Sequence, residues 1–256
     1  AIELFRQVRG IFRLIGLPGA TMLISEMELL SKDVFDERND DNEIQLAALS
    51  NAIIILNHYL EYVHIKQSIF PALLITTINE LRVIGKKSFV AESSFFAVNL
   101  NVVRDFSVKS SSAVDLSDIP ILSRRLRLMY QVGMLGVFKG ENPKTNFRLM
   151  LRALQRIDAL CGDVPMGKLW WVATGAIEAF VTETIELNNV RKSVFGKIDR
   201  QIKLLVHQGE QVLSQDPPAQ LLKECLYFVS LADKDDDNIV ELKRAFALDT
   251  NTYTDS

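Results

Sequence analysis

Apolar residues recur at helical intervals along most of the chain. Leu4, Val8, Ile11 and Ile15 fall on one stripe and Arg6, Arg9 and Arg13 on another, which predicts an opening helix. Gly16-Leu17-Pro18-Gly19 interrupts it, and Pro18 suits the first turn of a new helix. From Ala20 to Phe35, Met22, Leu23, Met27, Leu30 and Val34 share one side, leaving Glu26, Glu28, Lys32 and Asp33 for solvent. Glu37 to Asn42 reads as a charged loop. Glu43 to Gln67 is apolar around much of its circumference, the pattern of a helix central to a bundle. Pro71 opens a further helix to Ile84, closed by Gly85.

The periodicity lapses from Ser88 to Asp118, which predicts a mostly irregular linker wrapping the first bundle, anchored by Phe89, Phe95 and Phe96. The domain boundary is expected near Ser110. Beyond it, Ser117-Asp118 can cap a helix with Pro120 in its first turn, running to Phe138. Thr145 to Leu160 follows, then a helix opened by Asp163-Val164-Pro165 and containing Trp170-Trp171. Asn188-Asn189 precedes Val190 to Ser214, a long helix with Val194, Ile198, Ile202, Leu205 and Val212 at near-heptad spacing. Pro217-Pro218 starts another, and Ile239 to Leu248 forms the last after an acidic loop at Asp233 to Asp237. With no strand alternation outside the linker, the expectation is an all-α protein of two helical bundles. The bundles span residues 1–87 and 117–250, with a linker at 88–116 and a polar tail at 251–256. Because the pattern is already under way at Ala1, without a capping residue, a piece of a longer chain is expected.

Composition narrows the function. The 256 residues are 48% hydrophobic and 24% charged, with a net charge of −3, which argues against nucleic acid as the main ligand. Cys161 and Cys225 are too few for a disulfide framework and are expected to be core thiols in a reducing compartment. No apolar run reaches the ~18 residues that span a bilayer, so a cytoplasmic protein without membrane insertion is expected.

Few residues carry candidate chemistry. His58 and His64 lie six apart on one helix and so on different faces, and His207 stands alone. No His or Cys pair has the spacing that sets two metal ligands on one helical face. Phosphate-cradling glycine loops and nucleophile elbows are absent. Glu26 and Glu28 point apart, and the aspartate run at 233–237 lacks the central Gly and terminal Glu of a calcium loop. Trp170 and Trp171 lie ~100° apart on a helix, so one can be buried and the other can sit at the bundle edge as a docking hot spot. Arg6, Arg9 and Arg13 form a basic stripe, and Gly10 leaves a notch beside it at a cost of roughly 1 kcal/mol in helix propensity. A basic notch of this kind complements an acidic partner.

Arg6-Gln7-Val8-Arg9-Gly10 resembles the motif of histidine phosphotransfer (HPt) domains. There a His is followed by a basic residue three positions on and a Gly four positions on, so that a receiver domain can approach the helix. Arg9 and Gly10 occupy the flanking positions, but Arg6 stands where the His would be, and a guanidinium cannot accept a phosphoryl group. Further stretches, among them Glu26-Met27-Glu28, Tyr59-Leu60-Glu61-Tyr62, Glu92-Ser93-Ser94-Phe95-Phe96, Leu169-Trp170-Trp171 and Asp199-Arg200-Gln201-Ile202-Lys203-Leu204, extend the likeness. They resemble the FimL scaffold family and the amino-terminal region of the ChpA-type pilus chemotaxis kinases. The resemblance implies a pseudo-HPt four-helix bundle whose first helix would precede residue 1. It implies no cofactor and no catalysis, and a place in the type IV pilus chemosensory pathway that controls twitching motility and cyclic AMP signalling. The implied partners are a PilG-like receiver protein and a FimV-like polar hub, met in the cytoplasm at the cell pole. Protein-binding residues would be Arg6, Arg9, Gly10 and Arg13, with Trp170 and Trp171 as a second candidate. The alternative is the amino-terminal, non-catalytic part of a hybrid histidine kinase.

Overall fold

The computed structural model describes residues 2–36, 42–104, 118–181, 185–232 and 236–248. Among them every regular element is helical, and the chain divides into two compact units, Ala1–Phe95 and Phe96–Ser256.

In the first unit, α1 (Ile2–Leu14), α2 (Pro18–Asp36), α3 (Asn42–Lys66) and α4 (Ile75–Ile84) are joined by short connections, with a 3-10 turn at Pro71–Leu74 leading into α4. The central helix is α2, not α3. It packs against α1, α3 and α4, whereas Ile44, Leu46, Ile53 and Ile54 on α3 stay exposed. The reason lies in α2's own residues. Gly19 lets the backbone come so near Pro71 that an added Cβ would sit 2.9 Å from the Pro71 Cα, and Ala20, Leu23, Ile24, Met27 and Leu30 are buried behind it. Glu26 and Glu28, expected in solvent, are buried as well, because each is met by an arginine from another helix and by a lysine besides. Arg82 and Lys87 hold Glu26, while Arg9 and Lys32 hold Glu28. On α1 the inward face is Phe5, Val8 and Phe12, and three members of the apolar stripe, Leu4, Ile11 and Ile15, are exposed.

Phe89 is half exposed and does not anchor its segment. Asn79 on α4 does so, accepting from the Val90 amide at 2.7 Å and donating to its carbonyl at 3.0 Å. Ser110 and residues 105–117 lie outside the described residues.

In the second unit, Phe96 is buried in the core and Val98, Leu100 and Val102 pack against it. Arg104 closes this arm with two bonds to Asp158, at 2.7 and 3.0 Å, and its guanidinium stacks 4.8 Å from the Trp171 ring centre. The helices are α5 (Ile119–Lys139), α6 (Pro143–Cys161), α7 (Gly167–Val181), α8 (Asn189–Gln208), α9 (Glu210–Leu213), α10 (Ala219–Leu231) and α11 (Asp237–Ala245). The hub is α7, which packs on α6, α10 and α11. Asp118 precedes α5 without a side-chain capping bond, whereas Asn188 Oδ1 caps α8 by accepting from the Arg191 amide at 2.8 Å. The long helix expected from Val190 to Ser214 is broken at Gly209, whose φ of +51° ends α8 and lets α9 start in a new direction. The final helix stops at Ala245, ahead of a turn at Phe246 and Ala247. Of the acidic loop, residues 233–235 lie outside the described residues, as does the tail from 249.

Candidate docking surface

The glycine-interrupted connection between α1 and α2 folds the two helices into a hairpin, and a groove of about 700 Å³ opens along it. Arg6, Arg9, Gly10 and Arg13 all line this groove from α1. The facing wall is the amino-terminal half of α2, with Thr21, Met22 and Ser25, and Phe95 contributes at its margin. Thr21 Oγ1 donates to the Leu17 carbonyl and Ser25 Oγ to the Thr21 carbonyl, both at 2.8 Å. Those hydroxyl protons are spent within the helix, so positive charge in the groove comes from the arginines.

Gly10 is exposed, and a Cβ built on it would meet nothing within 4 Å. The helix therefore gains nothing structurally from its absence, and the notch is open to an approaching surface.

The three guanidiniums differ in what holds them. Arg9 donates to Glu28 Oε2 at 2.7 Å, and Arg6 reaches Glu28 Oε1 at 3.5 Å while also bonding Glu3 at 3.1 Å. Lys32 completes the cluster with a 2.8 Å bond to Glu28 Oε1. That bond, with the charges of Arg9, Lys32 and Arg6, outweighs burial and holds the Glu28 carboxyl below its usual range. Arg13 is exposed and makes no ion pair among the described residues. The groove thus has two arginines held by a buried carboxylate and, among the described residues, a third outside any ion pair. Sequence reasoning missed Glu28. Its only local partner is Lys32 one turn on, and Arg9 lies nineteen residues away in the chain.

The other candidates are elsewhere. Trp170 and Trp171 are both buried in the second unit, contrary to the edge position expected for one of them. Because α7 is packed on by α6, α10 and α11, most of its circumference is interior, both tryptophans included, and neither indole is presented for docking. His58, His64 and His207 are exposed, none in the groove. Burial pushes the Cys161 thiol up to about 12 and the Cys225 thiol higher still. Among the described residues no group of three or more His, Cys, Asp or Glu side chains could hold a metal ion, and no helix is long and apolar enough to cross a membrane.

No solved structure matches the chain. The family described as FimL scaffold protein second domain matches residues 115–256. Scaffold protein FimL of Pseudomonas aeruginosa is 35% identical over 255 residues, which covers 100% of this chain and 45% of that protein. The chain thus spans less than half the length of the curated relative it matches. With identity running through both units and the second matched by a domain of that family, the chain belongs to the FimL scaffold protein family.

Proposed function

We propose that the chain is the docking part of a non-catalytic scaffold in the type IV pilus chemosensory pathway, promoting twitching motility and cyclic AMP signalling. Its first unit is a degenerate HPt domain that still receives a receiver protein of the PilG kind but relays no phosphate. The observation that carries this reading is the convergence of Arg6, Arg9, Gly10 and Arg13 on one groove. The positions flanking an HPt histidine are kept and open, and the nucleophile's place is held by Arg6. Receiver domains present an acidic phosphorylation pocket, and Arg13 offers it a cation that has no ion pair among the described residues. The relative's name, scaffold protein, fits a chain whose role is to hold partners together. A FimV-like hub is the second partner, which would place the assembly at the cell pole.

The test is incubation with a radiolabelled phospho-receiver, followed by denaturing electrophoresis at neutral pH. Retention of the receiver on the immobilised chain with no label transferred is the expected result. Acid-labile phosphate on His58, His64 or His207 would overturn it.

A further inference from the structure

The second unit carries a surface that the scaffold reading of the first does not use. On α5, Ile121, Leu128, Val132 and Leu135 point outward, each more than half exposed. Ile121, Leu128 and Leu135 are spaced by sevens, so they form a straight ridge roughly 21 Å long at the helical rise. A seven-residue repeat is the spacing that a second helix, lying nearly parallel, can follow with its own side chains.

Along the ridge's own helix and the two helices packed beside it the free charge is positive, with the exposed carboxylates Asp118 and Glu141 only at the ends of α5. The sequences of α5, α6 and α8 hold only two carboxylates, Asp158 and Asp199. Both are consumed internally, Asp158 by Arg104 and Asp199 by Arg127 at 2.9 and 2.8 Å. Arg124 and Arg125 flank the ridge, exposed and without ion pairs among the described residues. On the neighbouring α6, Lys144, Arg148, Arg152 and Arg156 recur every fourth residue and are all exposed and unpaired in the same sense. The two helices are held close because Gly133 of α5 lies directly against the Asn146 backbone of α6. Unanswered positive charge beside an apolar seam, in a chain of net charge −3, is a complementary mould rather than a solvated face.

We infer that this face of α5, with the basic flank of α6, docks an acidic amphipathic helix of a partner protein. Apolar residues of the incoming helix pack along Leu128, Val132 and Leu135, and carboxylates on its flanks meet the α6 arginines. Nucleic acid would answer the charge but offers nothing to an aliphatic ridge. An anionic lipid surface would answer both, yet it has no use for a seven-residue repeat on a helix whose opposite face is fixed in the core.

The probe is a synthetic 21-residue helical peptide with Leu at a and d positions and Glu on both flanks, titrated by fluorescence anisotropy against the whole chain. The controls are the same composition scrambled, anionic phosphatidylglycerol vesicles and a DNA duplex. The patterned peptide should bind at least tenfold more tightly than the scrambled one. Leu128→Ser with Leu135→Ser should weaken it at least tenfold. Arg148→Glu with Arg152→Glu should do the same and flatten the salt dependence. All four positions are exposed, so circular dichroism and Tm should be unchanged. Arg13→Glu, on the first unit, should leave peptide affinity as it is, which separates this surface from the receiver groove. Equal binding of the scrambled peptide, tighter binding to vesicles or duplex, or no binding would each overturn the inference. So would a concentration-dependent dimer that Leu128→Ser abolishes, because a second copy would then occupy the ridge.

Discussion

Arg9 donates to Glu28 at 2.7 Å across the α1–α2 hairpin, and the carboxylate it reaches is buried. A residue expected only to face a partner therefore also closes the fold. Arg9→Glu would set two carboxylates against each other and confound docking with stability, whereas Arg13 can be reversed in charge without disturbing an ion pair among the described residues.

Glu28 makes the first unit sensitive to acid. Its carboxyl is held below the ordinary value in the folded chain, so its contribution is fully present above the unfolded pKa of about 4.3. It is lost as pH falls through the lower, folded value. Urea titrations followed by circular dichroism from pH 3 to 6 should show stability dropping on that limb. Glu28→Gln should flatten it while lowering the Tm of the first unit by about 4–8 °C, the shift ~1 kcal/mol produces in a unit of this size.

Two glycines should respond to alanine with opposite signs. Nothing lies within 4 Å of a Cβ at Gly10, so Gly10→Ala should stabilise α1 by roughly 0.5–1 kcal/mol through helix propensity alone. At Gly133 the added carbon would stand 2.7 Å from the Asn146 carbonyl oxygen, which belongs to backbone and cannot rotate away. Gly133→Ala should cost roughly 1–3 kcal/mol by forcing α5 and α6 apart. Chemical denaturation of each variant checks both signs.

Cys161 and Cys225 should be silent to thiol reagents in the native chain. Both are buried, and desolvation raises both thiols, Cys161 to about 12. At pH 8 almost no thiolate is present, and thiolate is the reacting species. Titration with a chromogenic disulfide should report no fast thiol without denaturant and both thiols in guanidinium; rapid native reaction at either would contradict the buried core.

Helix positions were legible because their signals are local: apolar spacing, Pro at the start of α5, and Gly after the ends of α4 and α5, although α6 begins at Pro143, two residues ahead of the expected Thr145. What could not be read depends on pairs far apart in the chain. Glu26 and Glu28 look like surface residues until Arg82 and Arg9 arrive from other helices and Lys87 from the segment after α4. The two tryptophans differ by a helical step, but α7 is covered over both of their faces, a property of its neighbours rather than of its own sequence. Gly209 sits inside an unbroken apolar pattern, so its positive φ leaves no mark in the periodicity. The four-residue recurrence of Lys144, Arg148, Arg152 and Arg156 was visible, yet a net charge of −3 hides a local excess. The members of the groove themselves were readable from Arg6-Gln7-Val8-Arg9-Gly10, since adjacent turns of one helix share a face.

Calorimetric titration of a PilG-like receiver domain into the native, Arg13→Glu and Gly10→Leu chains measures docking by the groove. The native chain should bind, and each variant should bind at least tenfold more weakly with an unchanged circular dichroism spectrum. Equal affinity across all three chains would show that the receiver docks elsewhere.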